Sequence, residues 1–284
     1  MGKGKKLSKR IIALIVCASI LGAILLTALG FWIAFEEADK IECYTPDYDK
    51  IDLTEILDKS ELSEEDYATL YAQTGLTKIG VDRALAKGSS GKTRIKTIQN
   101  NLFEKHAVKN ALFAPYVCTD FLDEGKQVAA IYLETGDVLV TSSTHIAGFR
   151  IGHAGLVTDG TRGDILQAMA YGAPTFTGRA SDFTTRVNFM VLSPKTDAET
   201  KKKVADYALE TFNGTPYEGT IGVFSKKDRL DKTQCAHLVW QSYRQFGLDL
   251  DYNGGALITP KDLANSPDVD IVQVFGFDLE KLWK

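Results

Sequence analysis

The residues Thr233-Gln234-Cys235-Ala236-His237-Leu238-Val239-Trp240 put a thiol where an apolar helical repeat begins. At about 100° per residue, Cys235, Val239, Tyr243 and Phe246 share one face, and Gly247 ends the repeat, so the spacing predicts a helix over 234–246 with Thr233 as its N-cap. Unpaired backbone N–H groups and the positive end of the helix dipole favour thiolate at such a position. Position alone leaves two readings open for Cys235, a nucleophile or the small buried hydrophobe that most free cysteines are.

A nucleophilic thiol needs a base, and the chain has four histidines: His106, His145, His153 and His237. His237 lies two residues from Cys235 and points away from it around the helix. His106 is expected in a polar helical stretch remote from the sheet, and His145 in a Ser/Thr-rich loop. His153 opens the run Ala154-Gly155-Leu156-Val157, where small neighbours leave room for a second backbone or a substrate. It is the candidate base, with a purely structural histidine as the open alternative.

The elements that must position these two side chains follow from periodicity. Helical spacing is expected from Ser63-Glu64-Glu65-Asp66 onward, over 78–86 and over about 95–104. Apolar runs at 128–133, 137–141, 153–158, 164–169 and 187–192 predict strands, helices follow at 197–212 and 234–246, and a last apolar run covers 271–275. This order indicates an α+β fold with a mainly antiparallel sheet.

The motifs Gly136-Asp137-Val138-Leu139-Val140, Gly152-His153-Ala154-Gly155-Leu156-Val157, Ile165-Leu166-Gln167-Ala168-Met169, Cys235-Ala236-His237-Leu238-Val239-Trp240 and Ile258-Thr259-Pro260-Lys261-Asp262-Leu263 recur in an order that resembles the YiiX/YebB-like branch of the NlpC superfamily. The likeness covers about residues 129–275. It implies a circularly permuted papain-like (NlpC-type) domain of antiparallel sheet and helices, and a cysteine peptidase or hydrolase that forms a thioester and needs no cofactor and no metal. It further implies Asp137 as a structural marker, His153 as base, Gln167 as its orienting partner and Cys235 as nucleophile. The pair would then be a thiolate–imidazolium, with the thiol pKa lowered and the imidazole pKa raised. Two departures from the pattern stand out: Gln167 replaces a frequent Glu and cannot neutralise an imidazolium, and Ala236 replaces a frequent Ser. Tyr217, in Gly214-Thr215-Pro216-Tyr217, matches a Gly-x-Pro-Tyr segment of similar proteins and is a substrate-binding wall candidate, with a purely packing role as the open alternative. The expected substrates are cell-wall or other peptides cleaved at amide bonds; lipid or acyl transfer and a silent binding module are the alternatives. Loops 142–152 and 171–186 would set specificity.

The rest of the sequence places this domain. Ile11 to Phe35 holds no charge and is long enough to span a bilayer. Lys3, Lys5, Lys6, Lys9 and Arg10 precede it and Glu36, Glu37 and Asp39 follow it, so the positive-inside rule predicts a cytoplasmic tail over 1–10, a signal anchor over 11–35, and an extracytoplasmic remainder. Cleavage after Gly30, yielding a secreted protein, is the alternative. Residues 36–127 read as a tether, over 36 to about 60, and a helical segment, and 128–284 as the catalytic domain. The overall net charge of -4 does not suggest a nucleic-acid binder, the basic first ten residues being a local exception. Cys43, Cys118 and Cys235 are an odd set for an oxidising compartment, so one thiol stays free or bridges between molecules. Ala86-Lys-Gly-Ser-Ser-Gly-Lys-Thr93 satisfies a relaxed phosphate-loop pattern, but the residues before it look helical, so a solvated loop without nucleotide is the expectation.

Overall fold

The computed structural model describes residues 8–38, 41–114, 117–146 and 149–283. Most of the basic tail, including Lys3, Lys5 and Lys6, and Asp39 beyond the apolar segment, lie outside the described residues. The chain forms α1 (Lys9–Ala38), α2 (Thr54–Leu57), α3 (Glu64–Thr74), α4 (Lys78–Leu85), α5 (Ser89–Phe103), β1 (Val108–Ala114), β2 (Val117–Leu122), β3 (Val138–Thr141), β4 (Thr144–Ile146), β5 (His153–Asp159), β6 (Asp164–Gln167), β7 (Phe176–Arg179), α6 (Ser181–Thr184), β8 (Phe189–Pro194), α7 (Ala198–Phe212), α8 (Cys235–Arg244), α9 (Pro260–Asn265) and β9 (Val269–Phe275). The fold is α+β, with antiparallel pairing throughout a six-stranded sheet ordered β7-β6-β5-β3-β8-β9 and a smaller sheet β1-β2-β4.

In α1, Lys9–Ala34 is apolar and long enough to cross a membrane, and its side chains are unburied by the protein. The segment has the length and composition of a membrane anchor or a signal sequence.

Alternation along the strands assigns the two faces of the large sheet. Val138, Val140, Ala154, Leu156 and Leu166 pack with Val204, Ala208, Leu238 and Val239 of α7 and α8. Leu139, Val157, Ile165 and Val191 pack on the opposite side with Leu70, Val81, Ile95 and Ile98 of α3, α4 and α5. The front helices therefore share a core with the sheet, and no core boundary falls at residue 128. The tether expectation also needs correction beyond Ile41. Cys43, Leu53 and Leu57 are buried in that same core, and the Tyr44 amide donates to the Gly276 carbonyl at 3.3 Å. Apolar side chains hold the stretch against the domain despite its acidic composition.

Local chemistry explains several boundaries. Ser63 caps α3 in a reciprocal box with Asp66, whose amide donates to Ser63 Oγ at 3.2 Å. Thr259 and Asp262 form the same box on α9, with Pro260 in its first turn. Helix α5 begins at Ser89, six residues before the expected start of 95. The Gly-Lys-Thr sequence is thus the first turn of a helix entered from another helix, not a loop. Gly91 is required there because a Cβ would sit 1.7 Å from the Ala84 carbonyl oxygen, where α4 and α5 meet. Residues 128–133 form no strand, because a side chain takes their ladder bonds: the Ile131 amide donates to Gln273 Oε1 at 2.6 Å and Gln273 Nε2 donates to the Ala129 carbonyl at 3.1 Å.

Gly136-Asp137 is the junction of the layers. Asp137 is fully buried and accepts from Arg83 of α4 at 2.6 and 3.1 Å and from the Glu134 amide at 2.8 Å, with Lys201 of α7 at 3.5 Å. Gly136 has φ 88°, and a Cβ on it would lie 2.5 Å from Lys201 Cβ. Its carbonyl accepts from the Tyr243 hydroxyl of α8.

Candidate active site

Cys235 is the first residue of α8, but the N-cap is Gln234, not Thr233. The Gln234 side-chain oxygen accepts from the Ala236 amide at 2.9 Å and from the Cys235 thiol at 3.4 Å, while its Nε2 holds the Ile258 carbonyl at 2.6 Å. Thr233 instead turns its hydroxyl to His237 Nδ1 at 2.8 Å. Backbone N–H groups of Ala154, Ala236 and Cys235 itself favour the thiolate form of the sulfur. The first of these comes from β5, one residue after His153, so docking α8 on that strand brings the thiol to the histidine's neighbour.

His153 is buried on β5, its ring stacked on Phe183 with centroids 5.3 Å apart. Its Nε2 lies 2.8 Å from Gln167 Oε1 on the adjacent strand, and Gln167 Nε2 donates to Asp182 Oδ2 at 2.5 Å. In this orientation Gln167 carries one donor and one acceptor through a relay of three residues. His153 then donates from Nε2, leaving the Nδ1 lone pair to take a proton. Asp182 explains why an amide fits here: a carboxylate at 167 would meet the acceptor oxygen of Asp182, and one acid would have to stay protonated. The carboxylate thus sits one residue further from the histidine than in the family pattern, where a Glu often stands at the Gln167 position.

Arg186 is a second unforeseen component. Its buried guanidinium donates to the Asp182 carbonyl at 2.7 Å, to Thr144 Oγ1 at 2.9 Å and to Ser143 Oγ at 3.2 Å. Burial pushes its pKa down to about 10, against the opposing influence of Asp182 and Cys235. The one sequence signal for this pair is the Asp182–Arg186 spacing across a helical turn.

Burial works against the expected ion pair. Burial pushes the Cys235 thiol up, and the three N–H groups and Arg186 offset this only in part. Burial, then Arg186, pushes His153 down to about 3 from 6.5, against the raising effect of Gln167. A raised thiol pKa moves thiolate, and hence alkylation, to higher pH. Iodoacetamide modification of Cys235, followed by peptide mass mapping, should therefore become fast only as pH passes the ordinary thiol value of 9.0. Appreciable reaction near pH ~6 would establish the ion pair instead.

Tyr217 lies at the same pocket as Cys235 and His153. Its segment is zipped to the residues before the cysteine: Glu218 N donates to the Thr233 carbonyl at 2.7 Å and Thr233 N to the Pro216 carbonyl at 3.0 Å. The Tyr217 ring meets Tyr171 edge-on at 5.1 Å, and its hydroxyl pKa is raised by burial and then by Cys235.

The other histidines are engaged elsewhere. His237 lies between Thr233 and the Lys227 carbonyl, at 2.8 Å from each. His145 is buried on β4, not in a loop, with Asn110 Nδ2 at 3.0 Å and Asp120 at 3.5 Å. His106 is not remote from the sheet, since its ring lies 5.7 Å from that of Phe275 on β9. Cys17, Cys43 and Cys235 are free thiols. Among the described residues no cluster of His, Cys, Asp and Glu could hold a metal ion.

Removing Gln167 should detune His153 without removing the base. With one neutral hydrogen bond worth about 1 kcal/mol, Gln167→Ala should lower Cys235-dependent kcat/KM roughly five- to tenfold, well short of the loss in His153→Ala. Equal losses in two folded variants would contradict this weighting.

Comparison with known proteins finds no relative: no family model matches the chain, and no curated protein or solved structure matches it.

Proposed function

We propose that this chain is a permuted papain-like cysteine hydrolase, held at a membrane by α1 with residues 41–284 on the extracytoplasmic side. The observation that carries the reading is a thiol at a helix N-terminus, sharing a pocket with a buried histidine that is itself held by the Gln167–Asp182 relay.

His153 Nδ1 takes the thiol proton as Cys235 Sγ attacks the acyl carbon of an amide or ester. The developing oxyanion faces the backbone N–H of Cys235. The carbon–leaving-group bond breaks, the amine or alcohol leaves with the proton held by His153, and a thioester remains. Water then attacks with His153 as base, releasing a carboxylic acid and restoring the thiol. Both groups start neutral, so proton transfer accompanies attack and does not precede it. Asp182, through Gln167, stabilises the imidazolium that forms in passing.

The test is to trap the intermediate. Incubation with an activated acyl ester, acid quenching and intact-mass analysis should show one acyl adduct, mapped to Cys235. An adduct on another residue, or none during measurable turnover, overturns the assignment. Ligand binding without turnover would leave a binding module.

A further inference from the structure

We infer that Lys227 is a positioning residue of this site, a cation built into the chain that clamps together two loops of the cavity wall; its kinetic consequences rest on the cysteine hydrolase reading above. One loop, 219–227, lends Gly219 and Thr220 to the cavity shared by Cys235 and His153, and the other, 249–258, lends Leu257 and Ile258. The Lys227 ammonium donates to Asp251 Oδ2 and to the Gly255 carbonyl, at 2.5 Å from each, and stands 4.8 Å from the centre of the Trp240 ring on α8. The Lys227 side chain is 22% exposed and that of Asp251 only 5%, so the pair is largely withdrawn from water and salt screens it little. Its backbone reaches α8 as well, through the Lys227 carbonyl at His237 Nε2. At the far end of the second loop the Ile258 carbonyl accepts from Gln234 Nε2 at 2.6 Å, and the Gln234 oxygen accepts from the Cys235 thiol. Only a short stretch of backbone therefore separates the clamped Gly255 from the residue that touches the sulfur.

The residue order of the second loop explains why a cation fits there. Asp249-Leu250-Asp251-Tyr252-Asn253-Gly254 has the spacing of the first half of an EF-hand calcium loop. In such a loop the first, third and fifth residues offer side-chain oxygens, the sixth is glycine, and the seventh, here Gly255, offers its carbonyl. Gly254 takes φ 65°, the left-handed turn that a glycine makes without strain. The oxygens at the third and seventh positions are the two that Lys227 binds. The other positions serve the fold. Asp249 Oδ1 accepts from Trp240 Nε1 at 2.7 Å, Asn253 Oδ1 accepts from the Gly255 amide at 2.6 Å, and the twelfth position, a chelating Glu in a calcium loop, is Pro260. The ammonium thus takes the part of the ion, and because it is covalently attached it also pulls the first loop onto the second.

The full-length protein in lipid nanodiscs provides the test. Lys227→Met keeps an apolar stem over Trp240 and removes the cation. With p-nitrophenyl butyrate, well below the melting temperature, it should raise KM about tenfold and leave kcat within about threefold of wild type, because the wall shifts while Cys235 and His153 do not. Lys227→Arg keeps the charge and should hold KM within about threefold of wild type. Asp251→Asn should raise KM in the same direction, and adding it to Lys227→Met should change little, as for two substitutions in one contact. A second measurement needs no turnover: iodoacetamide alkylation of Cys235 at alkaline pH should be at least about threefold faster in Lys227→Met, since a loosened wall exposes the sulfur. Wild-type KM together with a wild-type alkylation rate in Lys227→Met, whatever its melting temperature, overturns the clamp and leaves the hydrolase reading standing. An equal rise of KM in Lys227→Arg also overturns it, since the effect then belongs to side-chain shape. Faster alkylation in Lys227→Met and not in Lys227→Arg, in a protein that turns over no ester, has the opposite meaning: it supports the clamp and removes the hydrolase.

Discussion

Cys235→Ala should reduce ester turnover to the uncatalysed rate, and His153→Ala should lower kcat/KM by about 10²–10⁴, the range a positioned general base supplies. The two losses have different origins. Without the sulfur no thioester can form, whereas without the imidazole the thiol remains but must lose its proton to water at neutral pH, against a burial that already raises its pKa. Raising the pH should therefore restore part of the His153→Ala rate and none of the Cys235→Ala rate. Both proteins should fold. The cap of α8, the Ala236 amide on the Gln234 side-chain oxygen, remains without the thiol, and the Gln167–Asp182 bond survives loss of the ring. Circular dichroism and thermal melting check this. A His153→Ala protein with wild-type kcat/KM and a wild-type pH profile would remove His153 from the mechanism.

Asp137→Ala should be the most damaging single change away from the site, at about 3–5 kcal/mol of folding stability. The side chain is fully buried, and it faces two cations that are nearly so, Arg83 and Lys201, with 10% and 6% of their side chains exposed. Removing it leaves Lys201 without its carboxylate and Arg83 with only the half-exposed Glu134 carboxylate at 2.8 Å, and it also orphans the Glu134 amide. Ser193 Oγ, which accepts from Lys201 at 2.6 Å and from Arg83 at 3.0 Å, is a neutral oxygen and cannot replace the carboxylate. Denaturant unfolding with an unchanged m-value measures the effect. A loss below about 1 kcal/mol would mean that solvent reaches the two cations in the folded protein. The double variant Asp137→Ala/Lys201→Met should recover part of the loss, because it removes the cation that Asp137→Ala leaves without its carboxylate.

What could be read from the chain divides along physical lines. Strands β3, β5, β6 and β8 carry continuous apolar runs because helices cover both faces of the sheet, and such runs are visible without context. The sequence around Cys235 and His153 likewise announced a thiol at a helix start and a histidine opening a strand. The first three-stranded sheet was not legible, since Lys109, Asn110, Thr119 and Asp120 interrupt any apolar alternation along β1 and β2. Asp182 and Arg186 were hidden for another reason: their importance lies in contacts with Gln167, Ser143 and Thr144, which are remote in sequence. The charge balance of Cys235 and His153 was not legible, because helix position is local information that favours thiolate, whereas the burial that opposes ionisation is assembled by the whole fold.

The core shared between the front helices and the sheet sets the smallest portion of the chain that can exist in solution. A fragment of residues 128–284 would keep all the proposed catalytic residues, yet it would expose Leu139, Val157, Ile165, Val191 and Val272 along one whole sheet face and leave Asp137 without Arg83. Such a surface is an aggregation hazard. A cut near Ile41 leaves that core whole and separates it from the apolar helix, so the autonomous unit for expression, crystallisation or release from a membrane begins about ninety residues before the first catalytic motif would suggest.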